Sequence, residues 1–326
     1  MAPTRILTLN ILLGGEGRED RIAEVLRRSG ADVIALQEVR DNGLVPWLAG
    51  GLGMEAIRGE PSDGRDLGLA VLSRLRVLDH RNQRHEGMLR SHLRVTVRTH
   101  QGSPLRIHVV HLAARFGERA KGEARRTREL EAVLDDVAEE PPAPHLLLGD
   151  FNSLAPGDGL EATEFFRRMA ALRRDGLLVR QSDGWMVPVM ADGEAPSVEA
   201  RWRAHGIDPR LLGGVPVLPW VTGPLTSALP RSGTVDRMLG RMIERWTVPR
   251  LTGAGYVDCF RRLHPRARGY TCATWLPAAR IDYSFASPDL APAVVSCEVL
   301  GGRGRMGHEM AVTASDHFPL VTELSV

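Results

Sequence analysis

His145-Leu146-Leu147-Leu148-Gly149-Asp150-Phe151-Asn152-Ser153 is the stretch on which the fold turns. Its consecutive leucines, entered from a turn holding Pro141, Pro142 and Pro144, read as a buried strand. Gly149 then lets the backbone bend tightly. Asp150 and Asn152 follow at the C-terminal end of that strand, two positions apart, so both can face one side. In open α/β sheets, ligands bind at that end. An acid and an amide presented there suit a divalent cation, a phosphate or a water to be activated. The same pair also suits a plain strand-to-helix turn capped by Asx side chains. What else reaches that edge decides between the two.

Upstream, residues 118–139 read as a helix with an apolar stripe of Leu130, Val133, Leu134 and Val137, and with Arg125, Arg126 and Arg128 on a solvated face. Before it, Leu93 to Thr99 alternates as a half-exposed strand, and Gly102 turns the chain into a strand from Leu105 to His111. His111 closes that strand as a site candidate, whereas His108 points to the opposite face and reads as structural. Gly68 to Ser73 (GLAVLS) is another strand. Residues 5–11 and 32–39 are strands joined by a helix over 19–29 with Ile22, Val25 and Leu26 on one face. A strand–helix–strand unit implies a right-handed crossover and parallel neighbours. These two strands end in Asn10 and Glu38, and a carboxylate closing an apolar strand needs a cation or a paired base.

Downstream, the character changes from Asp158 to about residue 249. Strand alternation fades, prolines and glycines accumulate, and Trp185, Trp202, Trp220 and Trp246 all fall here. Helices are expected over Glu161–Leu172 and Val235–Arg245. This reads as a mostly helical insertion packed on the main domain, either structural or shaping a cleft. After it, the strand from Arg280 to Ser287 carries Asp282 inside it, and a buried Asp needs a His or Arg partner. Val294 to Leu300 is the next strand, and Ser315-Asp316-His317 precedes a closing apolar strand.

Composition bounds the rest. The 326 residues are 43% hydrophobic and 25% charged, ordinary for a globular chain with a sizeable core. A net charge of +2 gives no strong field for a polyanion, although a local basic cleft would be averaged out. Lys121 is the only lysine. Cys259, Cys272 and Cys297 are odd in number and widely spaced, which supports neither a disulfide framework nor a zinc site and points to a reducing, cytoplasmic location. No signal peptide or membrane span is read, and nothing calls for an obligate protein partner. Gly302 to Gly307 spells GxGxxG after a strand, but no helix and second strand follow, so a dinucleotide fold is not expected. There is no GxSxG elbow and no P-loop.

Collected, the polar strand-end residues are Asn10, Glu38, His111, Asp150, Asn152, Asp282, Asp316 and His317. Phosphoester hydrolysis needs these types: oxygen ligands for a hard cation, a base for water, and donors for charge on phosphoryl oxygens. The segments TLN at 8–10, LQE at 36–38, VHL at 110–112, GDFN at 149–152, RIDY at 280–283 and SDH at 315–317 stand in an order that resembles the endonuclease/exonuclease/phosphatase superfamily, the DNase I-like fold. The resemblance covers roughly 5–157 and 250–326. It implies a four-layer α/β sandwich of two packed mixed sheets flanked by helices, interrupted by the insertion at about 158–249. It also implies a Mg²⁺ site, with Mn²⁺ possible, at Glu38 with Asn10 and Asp316.

In that resemblance Asp150 orients or deprotonates the attacking water, and Asn152 bonds the phosphate and fixes Asp150. His317 contacts the scissile phosphate, held charged by Asp282, while His111 is the second phosphate-contacting histidine. Asp66, before GLAVLS, is a candidate partner of His111. Two departures matter: the family's apurinic-site endonucleases usually carry Tyr where His111 stands and Asp where Leu12 stands. The expected enzyme is therefore a metal-dependent phosphodiesterase or nuclease outside base-excision repair. The alternative is a phosphatase or phosphodiesterase acting on a small-molecule or lipid phosphoester. A nuclease should show a basic cleft, a small-substrate enzyme a pocket closed by the insertion.

Overall fold

A computed structural model describes residues 2–60, 67–114, 118, 120–181, 185–190, 196–212, 215–216, 231–301 and 308–326. Asp66 and the GxGxxG stretch at 302–307 lie outside the described residues. The chain opens with β1 (Thr4–Asn10), α1 (Glu19–Ser29), β2 (Val33–Val39), α2 (Leu44–Leu52), β3 (Glu55–Arg58) and β4 (Gly68–Ser73). It continues with β5 (Val77–Gln83), β6 (His92–Arg98), β7 (Pro104–His111), α3 (Ala120–Glu139) and β8 (His145–Asp150). The α1 helix forms as its pattern predicts. Ile22, Val25 and Leu26 are buried, Glu19 and Asp20 sit in the first turn, Arg27 and Arg28 in the last, and left-handed Gly30 closes it.

Two six-stranded sheets pack face to face. With β12 (Val257–Asp258), β13 (Asp282–Ala286), β14 (Val294–Val299) and β15 (Leu320–Leu324) added, one sheet runs β14-β15-β1-β2-β4-β3 and the other β12-β13-β8-β7-β6-β5. Each is mixed in the same way: β1 and β2 are parallel, as the crossover rule requires, β7 and β8 are parallel, and their flanking pairs are antiparallel. Period-two alternation places Ile6, Val33, Ala35 and Val71 of one sheet against Val95, Ile107, Val109 and Leu148 of the other. The opposite faces carry Leu7, Leu9, Ile34 and Leu36 under α1 and α2, and Val110, Leu147 and Phe285 under α3 and the helix Thr247–Gly253. This is the expected four-layer sandwich. It points the C-terminal ends of both parallel pairs to one edge.

Gly149 does more than bend the chain. It lies opposite Val110 in the parallel β7–β8 pair, with φ of 135°. A Cβ there would stand 2.0 Å from the Val110 carbonyl oxygen.

The face of α3 departs from expectation. Leu130 and Val133 are buried, but so are Glu123, Arg126, Glu129 and Asp136. Arg126, expected in solvent, pairs with Glu123 and donates to the Ala113 carbonyl. Charge alone predicts a surface face, whereas each buried charge here meets a partner that compensates its desolvation.

Within 158–249 the chain adds strands as well as helices. β9 (Leu178–Arg180), β10 (Trp185–Pro188) and β11 (Val215–Pro216) form a small antiparallel sheet. Helices Ala162–Arg174, Pro196–His205 and Gly233–Arg241 flank it in sequence. A separate core of Met169, Leu172, Leu178, Met186 and Trp202 holds this part together. Among the described residues, no helix is long and apolar enough to cross a membrane.

Candidate active site

The eight polar strand-end residues converge at that edge. Asn10 is the hinge of the cluster: its Nδ2 donates to Glu38 Oε1 at 3.1 Å and to Asp150 Oδ2 at 3.0 Å. Its Oδ1 accepts from the Leu12 amide at 3.0 Å. One amide therefore ties the end of β1 to the ends of β2 and β8. Glu38 Oε2 accepts from the Leu13 amide at 2.8 Å. Asp150 Oδ1 accepts from the Asn152 amide at 2.9 Å, while the Asn152 side chain donates to the Leu112 carbonyl at 3.0 Å. Asn152 thus fixes Asp150 through its backbone, and its side chain ties the loop to the end of β7.

Asp150 lies between two histidines. His111 Nε2 is 3.4 Å from Asp150 Oδ2, and His317 Nε2 is 3.9 Å from the same oxygen. His317 Nδ1 bonds Asp282 Oδ2 at 2.8 Å, so the carboxylate expected to need a partner inside its strand has one. His317 is held from behind by Ser315, whose hydroxyl lies 2.5 Å from the Asn10 carbonyl and 3.3 Å from the His317 amide. Asp316 Oδ1 stands 4.0 Å from His317 Nε2.

The backbone is strained where these groups are held. Glu38, Asn152, Leu12 and Leu13 are the non-glycine residues with positive φ among the described residues, at 60°, 49°, 51° and 50°. All belong to this edge. Left-handed non-glycine residues persist when surrounding contacts over-determine them, and they gather at functional sites.

The charges are set by burial and by each other. Burial, then the neighbouring Asp282 carboxylate, raises the Asp150 pKa; His317 and the bonds from Asn10 and Asn152 pull the other way. Asp316 is raised to about 6, chiefly by burial, with Glu38 adding repulsion and His317 opposing. Burial works against a charged His317, yet Asp282, with Cys272 and Asp316, raises its pKa well above the ordinary value. His111 shifts the other way: burial, then Arg90 and His317, lower its pKa well below the ordinary value. The two histidines are therefore one cation and one neutral ring at neutral pH.

The donor set suits a hard divalent cation. Asn10 draws the Glu38 and Asp150 carboxylates together through its Nδ2, while its own oxygen stays on the Leu12 amide. Asp316 lies close enough to feel the Glu38 charge, so carboxylate oxygens gather as such a cation requires. Asp282 Oδ1 and both ring nitrogens of His111 are buried without a hydrogen-bond partner. Ligand atoms of Asp150, Asp282 and His317 lie within 4.8 Å of one another, as do those of Cys272, Asp316 and His317. Crowded carboxylates that hold on to protons are the state a cation would relieve.

Arg90, Arg18, Cys272 and Glu123 were not singled out from the sequence. Arg90 is buried beside His111 and bonds the Leu112 carbonyl. Arg18 is buried, bonds the Ala314 and Leu12 carbonyls, and lends positive charge to Asp316. In a chain with 42 basic residues, nearly all arginine, neither stands out. Glu123 accepts from the Ser153 hydroxyl and from the Trp246 and Thr247 amides, which ties the loop after Asn152 to the end of the 158–249 segment.

Known structures share this architecture. An AP endonuclease from Archaeoglobus fulgidus superposes with a TM-score of 0.58 at 14% identity, over 99% of this chain and 100% of that one. An endonuclease/exonuclease/phosphatase from Beutenbergia cavernae gives 0.57 at 20% identity, over 99% of this chain and 72% of that one. The 3′ phosphatase NExo from Neisseria, bound to a product DNA hairpin, gives 0.55 at 16% identity, over 99% and 100%. At such identities the likeness shows the fold. No curated protein matches the sequence. The sequence profile of the Endonuclease/Exonuclease/phosphatase family matches residues 7–317, and the chain belongs to that family of phosphoester hydrolases.

Proposed function

We propose that this chain is a divalent-metal-dependent phosphodiesterase or nuclease in which Asp150 serves as the base for water. The observation that carries the reading is the position of Asp150: between His111 and His317, and joined through Asn10 to Glu38. Glu38 and Asp316 would hold Mg²⁺, or Mn²⁺ in its place, with Asn10 positioning Glu38 through its Nδ2 while its own oxygen stays on the Leu12 amide. The cation supplies a Lewis acid that polarises a phosphoryl oxygen. Asp150, its proton affinity raised toward neutrality, takes the proton of the attacking water. His317, kept charged by Asp282, donates a hydrogen bond to a phosphoryl oxygen as negative charge grows there. Neutral His111 offers one N–H to the same group from the other side. Asn152 adds its amide and keeps Asp150 in register.

The test is hydrolysis by the purified chain with Mg²⁺ or Mn²⁺ on plasmid DNA, single-stranded DNA, bis-p-nitrophenyl phosphate and p-nitrophenyl phosphate. Metal-dependent cleavage, lost in EDTA and reduced roughly 10²–10⁴-fold by Asp150→Asn, is expected. Cleavage that survives both treatments overturns the proposal.

One observation favours a lipid-borne phosphoester as the second reading. Met238, Met242, Ile243 and Trp246 are exposed on one short segment, with Arg237 and Arg241 beside them. Apolar side chains among arginines suit an anionic lipid surface. Release of phosphorylated headgroups from vesicles, without DNA cleavage, would move the assignment there.

A further inference from the structure

A second cluster lies on the outer face of the β5–β8 sheet, under α3. His85 follows β5, His92 opens β6, and Asp136 comes from α3. His85 Nε2 is 2.5 Å from Asp136 Oδ2, and His92 Nδ1 is 3.0 Å from the same oxygen. The potential ligand atoms of the three residues lie within 4.8 Å of one another. His92 is fully buried, whereas the His85 side chain keeps 23% exposure, which leaves a way in from solvent.

The far nitrogen of His92 is also held. His92 Nε2 is 3.0 Å from His108 Nδ1, so a second imidazole fixes the ring, as outer partners of metal-ligating histidines do. His108 Nε2 is buried without a hydrogen-bond partner. This gives the proton a place to go. With both rings neutral, the contacts are satisfied when His92 Nδ1–H donates to Asp136 and His92 Nε2 accepts from His108 Nδ1–H. Releasing the Nδ1 lone pair moves the His92 proton to Nε2. The contact with His108 then runs in the reverse sense, and the His108 proton settles on its unpartnered Nε2. His85 makes the matching shift by carrying its proton on Nδ1. The proton count is unchanged.

We propose that His85, His92 and Asp136 form a metal site separate from the active site, taking Zn²⁺ or a similar borderline cation, with water as fourth ligand. Two imidazoles and one carboxylate match the ligand preference of that class, whereas Mg²⁺ prefers an all-oxygen set. The ion would clamp the β5–β6 connection to α3.

The experiment is a Zn²⁺ titration of the full chain in excess Mg²⁺, against a chromogenic chelator, with Co²⁺ as spectroscopic probe. The chain and its Glu38→Gln variant should each take one Zn²⁺ at this site, and Co²⁺ should give the intense visible bands of tetrahedral coordination. His85→Ala and Asp136→Asn should lose that equivalent, and His108→Ala should weaken it roughly 10–100-fold. His85 sits in a partly exposed loop, and an unchanged melting profile of His85→Ala without metal separates lost binding from lost folding. Zn²⁺ uptake that is absent, or identical in His85→Ala, overturns the site, as does a purely six-coordinate Co²⁺ spectrum. None of these readouts depends on hydrolytic activity.

Discussion

The two sheets are built alike and finish differently. Each has a parallel pair at its centre, β1–β2 in one and β7–β8 in the other, and both pairs end at the same edge. The β1–β2 end presents Asn10 and Glu38, with Glu38 reachable by solvent and held through the strained Leu13 amide. The β7–β8 end presents His111 and Asp150, both buried, with Asp282 and His317 packed against them. Solvent access and hydrogen bonds from the Leu13 backbone amide and the Asn10 side-chain amide hold Glu38 at the mouth of this edge. Burial makes charge expensive at the other end, so protons are held or released according to their neighbours. On the proposed function, one scaffold thus yields an oxygen-ligand end and a proton-transfer end. The difference comes from desolvation, not from a change in topology.

The largest effect should follow from breaking the β7–β8 pair itself. The β1–β2 pair is closed by side chains throughout, but β8 meets Val110 at Gly149. Gly149→Ala puts a methyl 2.0 Å from a backbone oxygen, at φ of 135°. A loss of about 4 kcal/mol or more is expected, read as failure to fold or a collapsed denaturation midpoint. A stable Gly149→Ala protein would show that the close approach is not essential.

Next in size is the charge of His317. Removing its partner with Asp282→Asn lowers the His317 pKa, so the ring loses its proton at lower pH. The alkaline limb of the pH–rate profile should move to lower pH, and the rate at pH 8 should drop by roughly 10²-fold. His111→Gln should leave that limb in place, because His111 is already neutral. If both variants shift the limb equally, the two histidines are not held in opposite charge states.

This asymmetry was only partly legible in the sequence. Period-two alternation and the strand–helix–strand unit predicted the layers and the parallel β1–β2 pair, because one-face burial imposes a pattern on neighbouring residues. The same pattern placed the eight polar residues at strand ends and separated His108 from His111. The α2 helix was missed: Pro46, Gly50 and Gly51 make its nine residues poor helix formers, and packing of Leu44, Val45 and Leu48 overrides that. β5 was missed because an exposed edge strand carries no apolar signal. Arg126 and Arg90 were missed for a different reason. Their burial rests on carbonyls elsewhere in the chain, Ala113 and Leu112, and the local i,i+3 pairing of Arg126 with Glu123 looks the same on a solvated face.

A smaller effect is expected at the oxygen end. Glu38→Gln keeps the bond from Asn10 but removes a full charge from the cation's surroundings. The Mg²⁺ concentration for half-maximal rate should rise roughly 10–100-fold, with much of the rate recovered at saturating metal. Asp150→Asn should not be rescued in this way. Equal rescue of both would erase the distinction between the two ends.

The smallest effect concerns stability without metal, and it bears on both ends together. Asp150, Asp316 and His317 all bind their protons more tightly in the folded chain than in the unfolded one. Such groups contribute stability below their unfolded pKa values and lose it as pH rises through the folded ones. In EDTA these three groups should therefore lower the melting temperature as pH rises, first through about 6, where Asp316 gives up its proton. Buried His108, His111 and His145, with lowered pKa values, act in the opposite sense, so the fall is read as the difference from Asp316→Asn. The shift should be of order 2 °C, since each kcal/mol moves a chain of this size only slightly. Adding Mg²⁺ should flatten the dependence, because the cation replaces the protons that would otherwise neutralise the crowded carboxylates. Metal binding at neutral pH should accordingly release protons, measurable as a heat that varies with the ionisation enthalpy of the buffer. A melting profile in EDTA that coincides with that of Asp316→Asn, or a binding heat independent of buffer, would mean that cation and protons do not compete for the same oxygens. The two strand ends would then act separately, and the shared edge would be an accident of topology.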